Sequence, residues 1–230
     1  RVRATQGVIV ERAFRADDLA AGVTRIKLHQ LEKIYLTDST PILHRFGLRV
    51  IDQHSTTVQP ADGNSYYVDT FRVVPGDARA DIEEHGDNLV EALQACFAEK
   101  AFNDSLNALV LTAGLKRREI DVLRLFISYS RQLGESMPTT GQRAIWRKHP
   151  VAARLLLKLF RARFHPELEA ADDPDRVRLV QRNEKGFEDY LSEVEDAVED
   201  MILRRAFNLV GATIRTNWWG GAELEDHPLS

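Results

Sequence analysis

Residues 48–76 read LRVIDQHSTTVQPADGNSYYVDTFRVVPG, and this stretch decides the fold. Two runs rich in β-branched and aromatic residues, 48–58 and 65–74, flank the segment PADGN at 60–64. Its Asp62-Gly63 pair tolerates the positive φ angles of a tight turn, so the two runs predict a β-hairpin. Pro75-Gly76 then punctuates the chain. Beyond it the apolar spacing changes from two to about 3.6, the signature of helices, and no convincing strand follows.

Working back toward the N-terminus, GVIVERAF and VTRIKLHQL read as two further strands, joined by the polar and small residues RADDLAAG. Between LEKIYL and the hairpin, TDSTPILHRFG predicts a short helix: Thr37 to Ser39 are cap candidates, Pro41 suits the first turn and Gly47 the stop. The element order is ββαββ, which packs as a sheet with a helix on one face. The expected class is α+β, with an N-terminal ββαββ module over 1–75, an all-α helical bundle over 76–219 and a tail over 220–230.

In the helical part, the periodicity places helices at 79–101, 104–113, 116–134, 139–148 and 150–164, with one long helix from about 176 to 217. The fifth presents Val151, Leu155 and Leu159 on one face, widened by Leu156, Phe160 and Phe164. The long one carries Phe187, Leu191, Val194, Val198, Ile202 and Leu209 at helical spacing, which signals core. His149-Pro150 and His165-Pro166 bracket the fifth helix, because the residue before a proline is driven out of the helical region.

The 230 residues carry a formal net charge of −4 and 43% apolar side chains, enough for a buried core and far from the balance of a nucleic-acid binder. The charge is uneven along the chain. Residues 116–163 hold twelve Lys and Arg against three acids, whereas 167–200 hold four against thirteen. The expected consequence is that the acidic stretch lies near the basic helices or that both are solvated faces. The single cysteine, Cys96, makes no internal disulfide and reads as a buried helix residue. With no membrane-spanning run and no signal-peptide layout, a soluble, cytoplasmic chain is expected. The start at Arg1 and the polar end AELEDHPLS suggest a piece of a longer polypeptide.

The chemistry of common active sites is missing from the sequence. Thirteen glycines include no Gly-x-Gly, so no dinucleotide-binding turn opens a helix, and there is no Gly-Lys-Ser/Thr phosphate loop. Seven histidines form no His-Glu-x-x-His, and no Gly-x-Ser-x-Gly elbow occurs. Acidic neighbours such as Glu83-Glu84 and Glu188-Asp189 point to different sides of a helix and make no catalytic pair. No catalytic, cofactor-binding or metal-ligating residue is therefore expected, and neither a nucleic-acid nor a membrane partner.

The stretch RAFNLVGATIRTNWW, residues 205–219, remains. On a helix Arg204, Asn208 and Arg215 share a broad side, while Leu203, Val210 and Ile214 help fill another. Gly211-Ala212 removes bulk, which suits a close neighbour or a kink. Two adjacent tryptophans bury large apolar area and keep a polar handle, so Trp218 and Trp219, with Arg215 and Asn217, are expected to anchor a structural or interdomain contact.

Several blocks resemble the large bacterial NAD-specific glutamate dehydrogenases. They are FNDSLNALVLTAGLKRREIDVLRLFISYSRQLG (102–134), HPVAARLLLKLFRARFHP (149–166) and MILRRAFNLVGATIRTNWW (201–219). Upstream, RIKLHQLEKIYLTDSTPILHRFGLRVIDQHSTTV followed by SYYVDTFRVV is similar to the ACT-like unit of that family, and the blocks are collinear through about residues 5–219. The tryptophans stand where the family more usually has tyrosine or phenylalanine. The resemblance implies an ACT-like module and helices upstream of a catalytic region, with the glutamate-binding lysines and the NAD site beyond Ser230. It implies as partners the catalytic region of the same polypeptide and a homo-oligomeric parent. The alternative is a stand-alone amino-acid-sensing ACT-like module without enzyme activity.

Overall fold

The structure is a computed structural model that describes residues 8–59, 65–168 and 170–219. It divides into two compact units, residues 1–117 and 118–230. Pro75 closes the last strand, as the change of spacing requires, but the first packing unit runs on to Arg117.

In the first unit, strands β1 (Val8–Ala13), β2 (Thr24–Gln30), β3 (Leu48–Val58) and β4 (Tyr66–Pro75) form one sheet in the order β1-β2-β4-β3, antiparallel throughout. Helix α1 (Ala16–Ala20) occupies part of the β1–β2 connection, and helix α2 (Leu36–Arg45) lies between β2 and β3. The expected ββαββ order and α+β class hold, with α1 as a short addition. The hairpin signal at Asp62-Gly63 lies outside the described residues, although the strands on either side pair from Val58 with Tyr66 onward.

Alternation builds the core. Ile26 and Leu28 of β2 meet Phe71 and Val73 of β4 on one face, against Leu43 and Phe46 of the α2 region, all fully buried. Helix α2 starts earlier than its cap candidates suggested: Tyr35 is the N-cap and gives no side-chain bond, and the Ser39 hydroxyl donates back to the Tyr35 carbonyl at 3.2 Å. Pro41 consequently lies inside the helix rather than in its first turn. Gly47 stops it with φ 76°, a left-handed conformation that favours glycine.

Helix α3 (Ile82–Phe97) completes this unit and packs along β1. Asp81 caps it, accepting from the Glu84 N–H at 2.8 Å. The Gln94 amide accepts from Val10 N–H at 2.8 Å and donates to the Val8 carbonyl, so a side chain satisfies backbone groups that an edge strand leaves open. A 3-10 turn at Ser105–Ala108 leads into the short helix α4 (Leu109–Thr112), where one helix over 104–113 had been expected.

The second unit holds α5 (Arg117–Gln132), α6 (Thr139–Lys148), α7 (Pro150–Phe164), α8 (Pro174–Ser192) and α9 (Ala197–Ala212). Helix α7 is bounded by His149 and His165, as the two His-Pro pairs required. The long helix expected from 176 to 217 is instead two. Helix α8 ends at Ser192, and Asp196 caps α9 by accepting from Val198 N–H at 2.8 Å and Glu199 N–H at 3.0 Å. The pattern Asp196-Ala-Val-Glu199 has the spacing of a capping box and was the overlooked signal. Val151 and Val198, assigned to buried stripes, are exposed, and the buried side of α9 is Ile202, Leu203, Ala206 and Val210. Phe187 of α8 stacks on Phe207 of α9 at 5.1 Å.

Candidate functional site

Helix α9 stops at Ala212, where Thr213 takes extended backbone and both its N–H and its hydroxyl donate to the Leu209 carbonyl, at 3.0 and 2.7 Å. Residues 213–219 then run as a non-helical strap. Ile214 therefore fills no helix face; it is 90% exposed. Gly211 faces open space rather than a close neighbour, and its carbonyl accepts from Arg163 Nη2 at 2.8 Å.

Aromatic packing holds the end of the strap. Trp219 stacks on Phe160 of α7 with centroids 5.6 Å apart and meets the edge of His165 at 5.1 Å, while Trp218 meets Phe160 edge-on at 6.3 Å. The Arg118 guanidinium lies 5.1 Å from the Trp218 ring and donates to the Trp218 carbonyl at 3.3 Å. Trp218 N–H donates to Thr216 Oγ1 at 3.1 Å, which closes the turn. Phe160 is 2% exposed and also touches Phe126 and Phe164, so it is the hub of five aromatic rings.

Of the four residues singled out in the sequence, Trp218 and Trp219 thus face the body of their own unit. Arg215 and Asn217 are exposed beside a groove of about 580 Å³ whose walls include Leu125, Phe126, Tyr129 and Phe160. The floor is aromatic and the rim carries a cation and an amide.

A second constellation escaped the sequence reading. His149, treated only as a helix terminator, is largely buried and bridges three helices. Its Nε2 lies 2.8 Å from Glu199 Oε2 and its Nδ1 2.8 Å from the Tyr190 hydroxyl, while Lys148 Nζ binds both Glu199 oxygens at 2.6 and 2.8 Å. A carboxylate only accepts, so Nε2 donates to Glu199, and the tyrosine hydroxyl, able to donate or accept, engages Nδ1. Lys148 and then His149 hold the Glu199 carboxyl below its ordinary value, and Glu199 raises the Lys148 ammonium. A carboxylate, an imidazole and a phenol in series resemble an acid-base relay, but both ring nitrogens are already engaged with protein groups. The cluster is a clasp that ties the starts of α7 and α9 to the end of α8. It also brings the acidic stretch to the basic one, as does Arg163 with Glu184 at 3.4 Å.

Two further features bear on chemistry. In the first unit a groove of about 720 Å³ lies where β2 leads into α2, lined by Leu31, Glu32, Lys33 and Asp38 on one side and Phe97 and Glu99 on the other. Among the described residues no group of three His, Cys, Asp or Glu is placed to hold a metal ion, and Glu83, Glu84, Glu188 and Asp189 are exposed. Cys96 is buried in α3, with the Asn107 amide donating to its sulfur at 3.6 Å. No helix among the described residues is long and apolar enough to cross a membrane.

Comparison with known proteins gives this geometry its context. Residues 11–85 match the ACT3 domain of glutamate dehydrogenase and residues 101–166 match its helical motif 3. NAD-specific glutamate dehydrogenases are 30% identical over 90% of this chain in Halomonas elongata and 31% identical over 83% in Pseudomonas aeruginosa. This chain belongs to the NAD-specific glutamate dehydrogenase family. A third such enzyme, from Mycobacterium tuberculosis, is 26% identical over 83% of the chain. The chain spans only 12% of the length of each of these relatives. Within the glutamate dehydrogenase framework, the sheet from within β1 onward falls on the ACT3 match together with α2, most of α3 lies between the two matches, and α4 to α7 fall on helical motif 3. The strap and its tryptophans lie outside both matches.

Proposed function

We propose that this chain is a non-catalytic regulatory and scaffold segment of an NAD-dependent glutamate dehydrogenase. The whole polypeptide oxidises L-glutamate with NAD and water to 2-oxoglutarate, ammonium and NADH, as a cytoplasmic homo-oligomer. One observation carries this reading: two non-overlapping matches, to an ACT3 domain and a helical motif of that enzyme, occur in order along a chain that spans 12% of its relatives. The arrangement of polar groups supports it, because the His149 imidazole, the most catalysis-like group of the second unit, spends both nitrogens on internal partners. The NAD site and the glutamate-binding lysines belong to the remainder of the polypeptide; Arg215 and Asn217 form the contact toward it, on a strap that Trp218 and Trp219 hold to its own unit. Calorimetry of the 230-residue chain with NAD and with glutamate, together with a turnover assay, tests this. The expected result is neither binding nor NADH production; turnover by these residues alone overturns it.

A second reading, a stand-alone amino-acid-sensing module, draws on the 720 Å³ groove at the β2-to-α2 connection, where Glu32, Lys33 and Asp38 offer both signs of charge to a zwitterion. Such a ligand binds the native state and raises its melting temperature. A thermal-shift series over the common amino acids in which none stabilises the chain removes this reading.

A further inference from the structure

The solvent side of α5 presents Leu125 and Tyr129, and Leu133 in the turn just past its end continues the row at the same step of four; they are 47%, 47% and 51% exposed. This row borders the 580 Å³ groove floored by Phe126 and Phe160, and the strap supplies the opposite rim with Thr213, Arg215 and Asn217. Ile214, 90% exposed, stands on the same strap. Single exposed apolar residues are ordinary, but an aligned row running into an aromatic-floored groove marks a binding surface. Arg215 has no carboxylate within ion-pair distance among the described residues. The stacked tryptophans fix the strap next to this rim, so that little order is lost when the groove is filled.

From this arrangement we infer that the groove between α5 and the strap is a docking site for a segment of the same polypeptide outside residues 1–230. That segment carries an apolar side chain for the Phe126–Phe160 floor and an Asp or Glu for Arg215. The inference rests on the reading of the chain as part of a longer glutamate dehydrogenase. Two observations choose this occupant. The relatives are far longer than this chain, which spans 12% of each, so a covalently linked partner is present at high effective concentration. In addition, Arg215 is an exposed cation on the rim with no carboxylate of the described residues in ion-pair reach, and an acidic side chain on the incoming segment completes it.

The test places a photo-activatable cross-linking residue at Leu125 or at Tyr129 of the full-length polypeptide, with Thr57 of β3 as the control position, and maps the products by mass spectrometry. The expected result is a cross-link from 125 and 129, absent from 57, to a peptide outside 1–230 that contains an acidic residue. Arg215→Glu lowers its yield at least about fivefold, and Arg215→Gln lowers it less. Tryptophan fluorescence of both variants, unchanged from the parent, separates lost docking from lost folding. Cross-links to residues 116–219 of a second copy, to an unrelated protein, or to nothing overturn the inference. If the isolated 230 residues are inert while 125 and 129 stay unlinked, docking alone fails; if they turn over glutamate, the underlying reading fails whatever the cross-links show.

Discussion

The anchoring of the strap is measurable through the pair Phe160 and Trp219. Phe160 makes four ring contacts, to Phe126, Phe164, Trp218 and Trp219, from a 2% exposed position. Truncation to alanine removes the ring and leaves a cavity, at a cost of about 3–5 kcal/mol. Phe160→Leu retains most of the volume but loses four aromatic pairs, each worth about 0.5–1.5 kcal/mol beyond buried area; with leucine recovering part by dispersion, about 2–3 kcal/mol is expected. Combined with Trp219→Leu, the double-mutant cycle should return a coupling near 1 kcal/mol, because the stacked pair at 5.6 Å is lost only once. The three tryptophans, 146, 218 and 219, all belong to the second unit, so urea unfolding followed by their fluorescence reads that unit alone. Trp146, 1% exposed, still reports in the Trp219→Leu variants. A coupling below about 0.3 kcal/mol, the level of independent sites, refutes the claim that Phe160 holds the strap.

Three other outcomes follow from single side chains. Glu135, buried between α5 and α6, accepts from Met137 N–H at 2.9 Å and from Arg205, and these bonds, the backbone one first, hold its carboxyl below its ordinary value. Its contribution is therefore present above about pH 4.5 and is lost as pH falls through the lower folded value. Glu135→Gln should cost about 1–3 kcal/mol at pH 7 by the same fluorescence assay, and the gap to the parent should close on acidification. Gly47→Ala forces a left-handed alanine at φ 76°, for about 1–2 kcal/mol, with no clash since the nearest neighbour, Ala108 Cβ, lies 3.6 Å away. Faster amide exchange in β3 and β4 checks it. His149→Ala strips one partner each from Glu199 and Tyr190 and should lower the stability of the second unit by about 1–3 kcal/mol, whereas Tyr190→Phe, which removes the hydroxyl bond to His149 but keeps the edge-on ring contact, should cost less in the same urea titration.

Local signals were readable where one residue type dictates backbone geometry. The two His-Pro pairs fixed both ends of α7, and Gly47 fixed the end of α2. The break between α8 and α9 was hidden because Leu191, Val194, Val198 and Ile202 keep helical spacing straight through it; only the Asp196 cap marks the new start. On β3 the pairing slips between Val50 and Asp52, leaving Ile51 as an extra residue, 50% exposed. That bulge turns Gln53 and Ser55 onto the face of Phe71, where both donate to Asp69, a carboxylate 4% exposed that Gln30 also binds. Alternation placed Asp69 in line with Phe71 and Val73, but no pattern in β3 announced its partners.

The sequence by itself determined the class and the ββαββ order of the first module followed by helices, since the periods of two and 3.6 are properties of each segment's own backbone and are written directly in the spacing of its apolar side chains. Tertiary structure alone decided which apolar residues are covered and which polar ones meet. Val151 and Val198 have the right spacing yet stay exposed, while Lys148, His149, Tyr190 and Glu199 converge from four helices. Burial and pairing depend on what another segment brings to the same place, and that information is spread over the chain rather than held in any one stretch of it.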